Sequence, residues 1–268
     1  MLLLRSAAAA FAITHLAVPV LAQDSPRRDP EAVTVLNRAI AIAGWASPPA
    51  DAVAKGSVSR NGDERLEAFA FEFRGKGLSQ YRIAVQDELA TTTVSDGVGA
   101  AVIGARGTHR LQPHSTMLNR PWILPFYSML SQAMHPETDI QYLGVDDSTG
   151  EPAHRLEVTF AAGGNVSLVS ALGALKVWIS VASELPIQVQ YARVADDNPS
   201  AWRIRTRGLS DYRAVCGMAV PFRQEESADG AKLFSLQLSE VRCNVGLSDS
   251  EFTLPAAMVE EPNGVQPR

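Results

Sequence analysis

Four histidines outside the first 22 residues, His109, His114, His135 and His154, are the side chains best suited to metal or proton-transfer chemistry. None belongs to an H-E-x-x-H or C-x-x-C pattern, and His109 and His114 are spaced wrongly for one helical face, so they read as scattered surface residues. Ser95-Asp96-Gly97 places a hydroxyl beside a carboxylate, yet Asp-Gly after a Thr-rich strand is what a tight turn requires. Asp211, Asp249 and Glu251 are acidic, but nothing pairs them with a second carboxylate at a defined distance, as acid–base work needs, and they read as solvated loop residues. There is no G-x-S-x-G elbow, phosphate loop or dinucleotide fingerprint. A non-enzymatic protein is therefore expected, with no catalytic residue, cofactor or metal; an unrecognised hydrolase is the residual alternative.

The two cysteines carry the one covalent chemistry on offer. If Asp229-Gly230 is a two-residue hairpin turn, directly opposed residues have numbers summing to 459, and Cys216 and Cys243 satisfy this. A disulfide between them is expected in an oxidising compartment, the alternative being two separate buried thiols. Counting from the turn puts them at a hydrogen-bonded position, where the spacing of about 5.5 Å is wide for a bridge. A bulge near Gly217 or Pro221 would relax it.

That compartment is suggested by residues 1–22: Arg5 near the start, an apolar run over 7–20, and Val20-Leu21-Ala22 before Gln23. The pattern predicts a secretory signal cleaved after Ala22, since the apolar core is shorter than the roughly 20 residues a membrane span needs. No Cys sits at the cleavage point for lipid attachment. A soluble periplasmic protein with a polar leader over 23–29 is expected. The 268 residues are 46% hydrophobic and 20% charged, ordinary for a globular protein. A net charge of −5 without a basic block argues against a nucleic-acid partner.

Helical spacing of Val33, Leu36 and Ile40 behind Asp29-Pro30 predicts a helix over 30–44. From 53 onward the period changes to two, with strands expected over 53–59, 66–74, 80–86 and 90–94, then 140–143, 154–160, 176–181, 187–193, 202–212, 218–225 and 232–241. Between the two groups, Leu118, Trp122, Ile123, Phe126, Tyr127, Leu130 and Met134 fit an amphipathic helix broken by Pro121 and Pro125. Ten or so strands with two helical segments predict a mainly β, α+β domain: one curled antiparallel sheet, an incomplete barrel with helices against its concave face. Such a sheet encloses an apolar space. Alternation puts Phe69, Phe71 and Phe73 on one side of it, and a spacing of four puts Trp122, Phe126 and Leu130 on one helical stripe. These six are the candidate hydrophobic ligand site; the stripe reads equally as a lid over a cavity and as ordinary core.

The order of motifs resembles the outer-membrane lipoprotein-sorting (LolA-like) superfamily: Val94-Ser-Asp-Gly97, a proline-rich segment, Tyr142-Leu-Gly144 with Gly150-Glu-Pro-Ala-His154, Trp178 ahead of Glu184-Leu-Pro186, Ser210-Asp-Tyr212 with Cys216-Gly217 and Val220-Pro221, and finally Phe252-Thr-Leu-Pro255. The likeness spans 30–255, with 256–268 as a C-terminal tail. It implies an incomplete barrel that carries the acyl chains of lipids or lipoproteins across the periplasm, with a membrane-associated protein as a further partner. Arg74, Lys76 and Arg82 are three candidates for the family's functional basic residue, and the resemblance does not choose among them. The alternative is a partner-binding periplasmic module whose core is filled.

Overall fold

The computed structural model describes residues 26–60, 68–77, 79–105, 107–111, 134, 136–159, 174–195 and 198–260. Helix α1 spans Pro30–Ile42. It starts where Asp29 accepts from the Glu31 amide at 3.0 Å, with Pro30 at the first helical position. Its end is a paired-bond cap: Trp45 N–H donates to Ile40 and Gly44 N–H to Ala41. Gly44 adopts φ +70°, and a Cβ there would lie 2.2 Å from the carbonyl oxygen of Gly217. Only glycine fits, so the helix stops two residues earlier than its periodicity suggests.

The strands are β1 (Asp51–Arg60), β2 (Ala68–Lys76), β3 (Gln80–Gln86), β4 (Thr91–Asp96), β5 (Ala100–Gly104), β6 (Gly107–Leu111), β7 (Asp139–Asp146), β8 (Ala153–Thr159), β9 (Ala174–Ser180), β10 (Pro186–Ala195), β11 (Asn198–Val215), β12 (Met218–Ala228), β13 (Ala231–Cys243) and β14 (Val259–Glu260). They form one sheet in the order β14-β6-β5-β4-β3-β2-β1-β13-β12-β11-β10-β9-β8-β7. Thirteen strands pair antiparallel, and β14 adds to β6 in parallel. The chain meanders outward from β1 to β6 and from β7 back to β13, and the β1–β13 ladder joins the two halves. The sheet is not closed, because β7 and β14 lie at opposite ends of the order.

Mainly β, antiparallel and unclosed is thus the architecture; the helical content is lower than expected. Among the described residues α1 is the single α-helix, accompanied by a 3₁₀ turn at Asp249–Phe252. The second expected helical segment falls almost wholly outside the described residues. β5, β6 and β14 are strands that periodicity does not announce. Both long hairpins turn on two residues with positive φ, Cys216-Gly217 and Asp229-Gly230, the conformation that matches the twist of the flanking strands. Ser95-Asp96-Gly97 is also a turn, in which Asp96 Oδ1 accepts from the amides of Val98 and Gly99, each at 2.8 Å.

One face of the sheet gathers the core. Leu36 and Ile40 of α1 pack with Phe73, Tyr81, Leu156, Val177, Val220 and Leu238 from six different strands. The end of α1 is fastened to the β11–β12 hairpin by Ala219, whose N–H donates to Ala43 O at 2.9 Å and whose carbonyl accepts from the Trp45 indole at 3.2 Å.

Candidate hydrophobic ligand site

Alternation along β2 brings Phe69, Phe71 and Phe73 onto the core-bearing face. Phe73 is fully buried, Phe71 is 8% exposed and Phe69 packs partly buried against the same cluster. The register places Phe73 between Ala54 of β1 and Ile83 of β3, and Phe71 between Gly56 and Val85. Small partners on β1 leave room for the rings. Phe73 turns its ring over Gly75, where a Cβ would meet it at 2.6 Å. Trp122, Phe126 and Leu130 lie outside the described residues, so the structure places the strand half of the expected site.

Cys216 and Cys243 form a disulfide, with Cα atoms 6.3 Å apart. The pairing is as expected; the geometry behind it is different. A register shift at Glu226/Ser227 moves the β12–β13 partners by one, so that Arg223 opposes Gln237 and Gln224 opposes Leu236. Cys216 stands in the β11–β12 turn and not on β12. The bridge therefore ties the hairpin that anchors α1 to the end of β13, where Asp51 accepts from the amides of Val245, Gly246 and Leu247.

Asp249 and Glu251 are more than solvated loop residues. Glu251 completes a capping box with Ser248 and pairs with Arg74, while Asp249 pairs with Lys76 at 2.7 Å. Together they clasp the C-terminal turn to β2. Arg74 is held above its ordinary pKa by hydrogen bonds to Glu72 and Glu251, and Glu251 is correspondingly lowered, chiefly by Arg74. Asp211 pairs with Arg213 in the open. His154 is half-buried, and its Nδ1 meets the Tyr142 hydroxyl at 2.9 Å. Burial, and then Glu31 of α1, push the Tyr142 pKa up.

Sequence reasoning missed a polar belt across the same core face. Arg205 and Arg207 of β11, Gln224 and Glu226 of β12 and Tyr191 of β10 are all at most 9% exposed. Arg207 and Glu226 are direct ladder partners. Glu226 Oε2 accepts from Arg207 Nε at 2.9 Å, from Arg207 Nη2, and from the Tyr191 hydroxyl at 2.8 Å. Arg205 Nη1 stands 4.0 Å from Oε1. The Arg207 guanidinium also lies 5.1 Å from the centre of the Phe234 ring. Burial disfavours both charges, but mutual attraction and the hydrogen bonds outweigh it: Arg207 is raised and Glu226 lowered. The signal available was phase. Leu209 fixes which alternate positions of β11 face inward, and Arg207 and Arg205 fall on that side while Ile204 is 45% exposed.

An unclosed antiparallel sheet with a helix packed on its apolar face is a LolA-like fold, and solved structures bear this out. The chain is similar to a DUF1329 family protein from Desulfovibrio piger, at 16% identity and TM-score 0.57, covering 84% of this chain and 98% of that one. It is similar to a LolA superfamily protein from Nitrosomonas europaea, at 14% identity and TM-score 0.55, covering 83% and 97%. A putative outer membrane lipoprotein-sorting protein domain from Vibrio parahaemolyticus aligns at 13% identity and TM-score 0.55, covering 82% and 97%. At these identities the likeness is one of fold. No protein-family model matches the chain, and no curated protein does. No helix among the described residues is long and apolar enough to cross a membrane.

Proposed function

We propose that this protein is an exported, non-enzymatic carrier or sensor of an acyl or lipid-like hydrophobic ligand. The observation that carries the reading is the core face of an unclosed sheet, on which Phe69, Phe71 and Phe73 join one apolar cluster reaching from α1 to β13. The fold shared with a LolA superfamily protein and a lipoprotein-sorting domain supports it. In this reading Trp122, Phe126 and Leu130 complete the lining from the segment between β6 and β7, and residues 30–255 make up the functional domain. Lipid or lipoprotein acyl chains are the cargo, with a membrane-associated protein as the partner that delivers or receives them. Residues 1–22 serve as the export signal, and mature protein begins at Gln23. The disulfide fits an oxidising compartment.

Protein exported by a Gram-negative host and analysed by native mass spectrometry tests this: acyl-containing mass adducts on a chain starting at Gln23 are expected. Stripped protein with no adduct and an intact Met1 contradicts it. A second reading, a partner-binding module with a filled core, is favoured by the complete burial of Phe73, Leu156, Val177 and Val220. It predicts adduct-free protein that is nonetheless exported.

A further inference from the structure

The face of the sheet turned away from the core carries one residue that the fold does not call for. Arg207 and Leu209 of β11 are buried on the core side, so Gly208 between them belongs to the opposite face. The register sets it in a row with Glu225 of β12 on one side and Gln188 of β10 on the other, and the row continues through Trp178 of β9 to Arg155 of β8. Glycine inside a strand weakens it, and commonly marks a bulge, a bend or the close approach of a ligand or a second backbone. Both ladders pass Gly208 without a register shift. Its backbone is not left-handed, and a Cβ there would meet no atom within 4 Å. Neither a bulge nor a crossing backbone accounts for this glycine.

Gly208 floors a hollow of about 430 Å³, walled by Gln188, Ile187, Ser210, Glu225 and the β7–β8 loop up to Glu151. That volume falls within the range of roughly 300 to 1,000 Å³ usual for small-molecule sites. The loop is a fixed wall. Asp146 at its base pairs with Arg155 at 3.0 Å and accepts from the Ser148 amide at 3.1 Å and the Trp178 indole at 3.2 Å, while Gly150 N–H donates to Asp147 and Val181 N–H to Pro152. On the opposite wall, Glu225 Oε1 accepts from Arg223 at 2.7 Å and from Lys232 at 3.2 Å. These bonds, that of Arg223 first, hold Glu225 ionised below the ordinary carboxylate range. Two cations already balance this carboxylate, and both use one of its oxygens. Glu151 is exposed to solvent. The hollow thus suits a neutral ligand rich in hydrogen-bond donors better than a further cation.

We propose that this hollow is a carbohydrate site: one pyranose ring lies with its C–H face over Gly208 and Ile187, and its hydroxyls bond to Glu225, Gln188 and Ser210. Each sugar hydroxyl both donates and accepts. The carboxylate supplies acceptors, the amide supplies donors and an acceptor, and the serine hydroxyl supplies both, so a neutral polyol matches the set without bringing a charge of its own. A side chain at 208 would stand where the ring rests, and this is the use of a glycine in the middle of β11. The site lies on the face away from Phe69, Phe71 and Phe73, and it stands or falls independently of the carrier reading.

Amide chemical shifts of wild-type protein, titrated with glucose, galactose, mannose, N-acetylglucosamine and chitobiose beside putrescine as a cationic control, test it. At least one sugar is expected to move the amides of Gly150, Gln188 and Gly208 saturably, and putrescine is not. Tighter binding of chitobiose than of N-acetylglucosamine assigns a glycan chain as the occupant, and equal binding a single sugar unit; either upholds the site. Gly208→Val, whose Cβ meets no atom within 4 Å and whose branched side chain suits a strand, should melt no lower than wild type and bind the same sugar about tenfold or more weakly. A panel in which no sugar moves these amides overturns the proposal, and so does saturable movement by putrescine alone. Undiminished sugar binding by Gly208→Val overturns it as well. A variant that melts below wild type assigns the glycine to the bending of the 18-residue β11 and overturns it too.

Discussion

Arg207 of β11 and Glu226 of β12 face each other across the ladder, and two nitrogens of the one guanidinium donate to a single oxygen of the other's carboxylate inside the core. Replacing one member alone leaves an uncompensated buried charge. Glu226→Leu or Arg207→Met should each destabilise by about 3 to 5 kcal/mol, while the double replacement recovers a large part of that loss. Urea unfolding of the four proteins in a double-mutant cycle measures it. Additive single effects would show that the pair is not coupled.

The same pair sets an acid limit. Burial works to raise the Glu226 pKa, but attraction to Arg207 and the hydrogen bonds from Arg207 and Tyr191 prevail, so it lies below the ordinary value of 4.5. A carboxylate lowered on folding contributes stability that is present above its unfolded pKa and lost as pH falls through its folded one. Stability should therefore decline below about pH 4.5, and Glu226→Gln should flatten that decline. Unfolding free energies between pH 6 and pH 3 provide the check, an unchanged slope in the variant being the contrary result.

Cys216 and Cys243 are separated by 27 positions. Opening that loop costs about 3 to 4 kcal/mol on the chain-entropy model. Reduction, or Cys216→Ser with Cys243→Ser, is expected to lower the urea midpoint accordingly. Because the bridged hairpin also anchors α1 through Ala219, amide exchange at Ala43 to Trp45 should accelerate in the reduced protein. Loss of stability with no change at that junction would separate the bridge from the helix.

At Gly44, positive φ and the Gly217 carbonyl at 2.2 Å from any Cβ combine. Gly44→Ala is expected to cost more than about 1 kcal/mol. Thermal unfolding of this variant beside Gly150→Ala, a positive-φ glycine with nothing within 4 Å, separates the steric part from the backbone part. Equal losses would show that the close approach to Gly217 adds nothing to the cost.

Much of this architecture was legible because periodicity is a physical demand. Phe69, Phe71 and Phe73 must share a face if the strand is half-buried, and Asp29-Pro30 marks a helix start because its first amides need an acceptor and its first residue needs none of its own. β5 and β6 carry no such mark: Ala100-Ala-Val-Ile-Gly104 is a short apolar run without alternation, and Gly107-Thr-His-Arg-Leu111 has almost no apolar pattern. The disulfide was legible as a pair but not as a geometry, since the register shift at Glu226/Ser227 leaves no mark in residue types. The polar belt was hidden for the opposite reason. Charged residues on the inward phase look like a solvent face, and the tertiary pairing of Arg207 with Glu226 is what permits their burial.

Titration of wild-type protein with a fluorescent fatty-acyl probe asks whether the core face of this sheet receives an acyl chain. Each buried methylene contributes about 0.8 kcal/mol, so a chain of about a dozen carbons is expected to bind saturably even after the ordering cost. One saturable site is expected, weakened when Phe71→Asp or Phe126→Asp is made in a variant whose far-ultraviolet circular dichroism matches wild type. A titration that stays linear with probe concentration contradicts it, and the filled-core module then stands in its place.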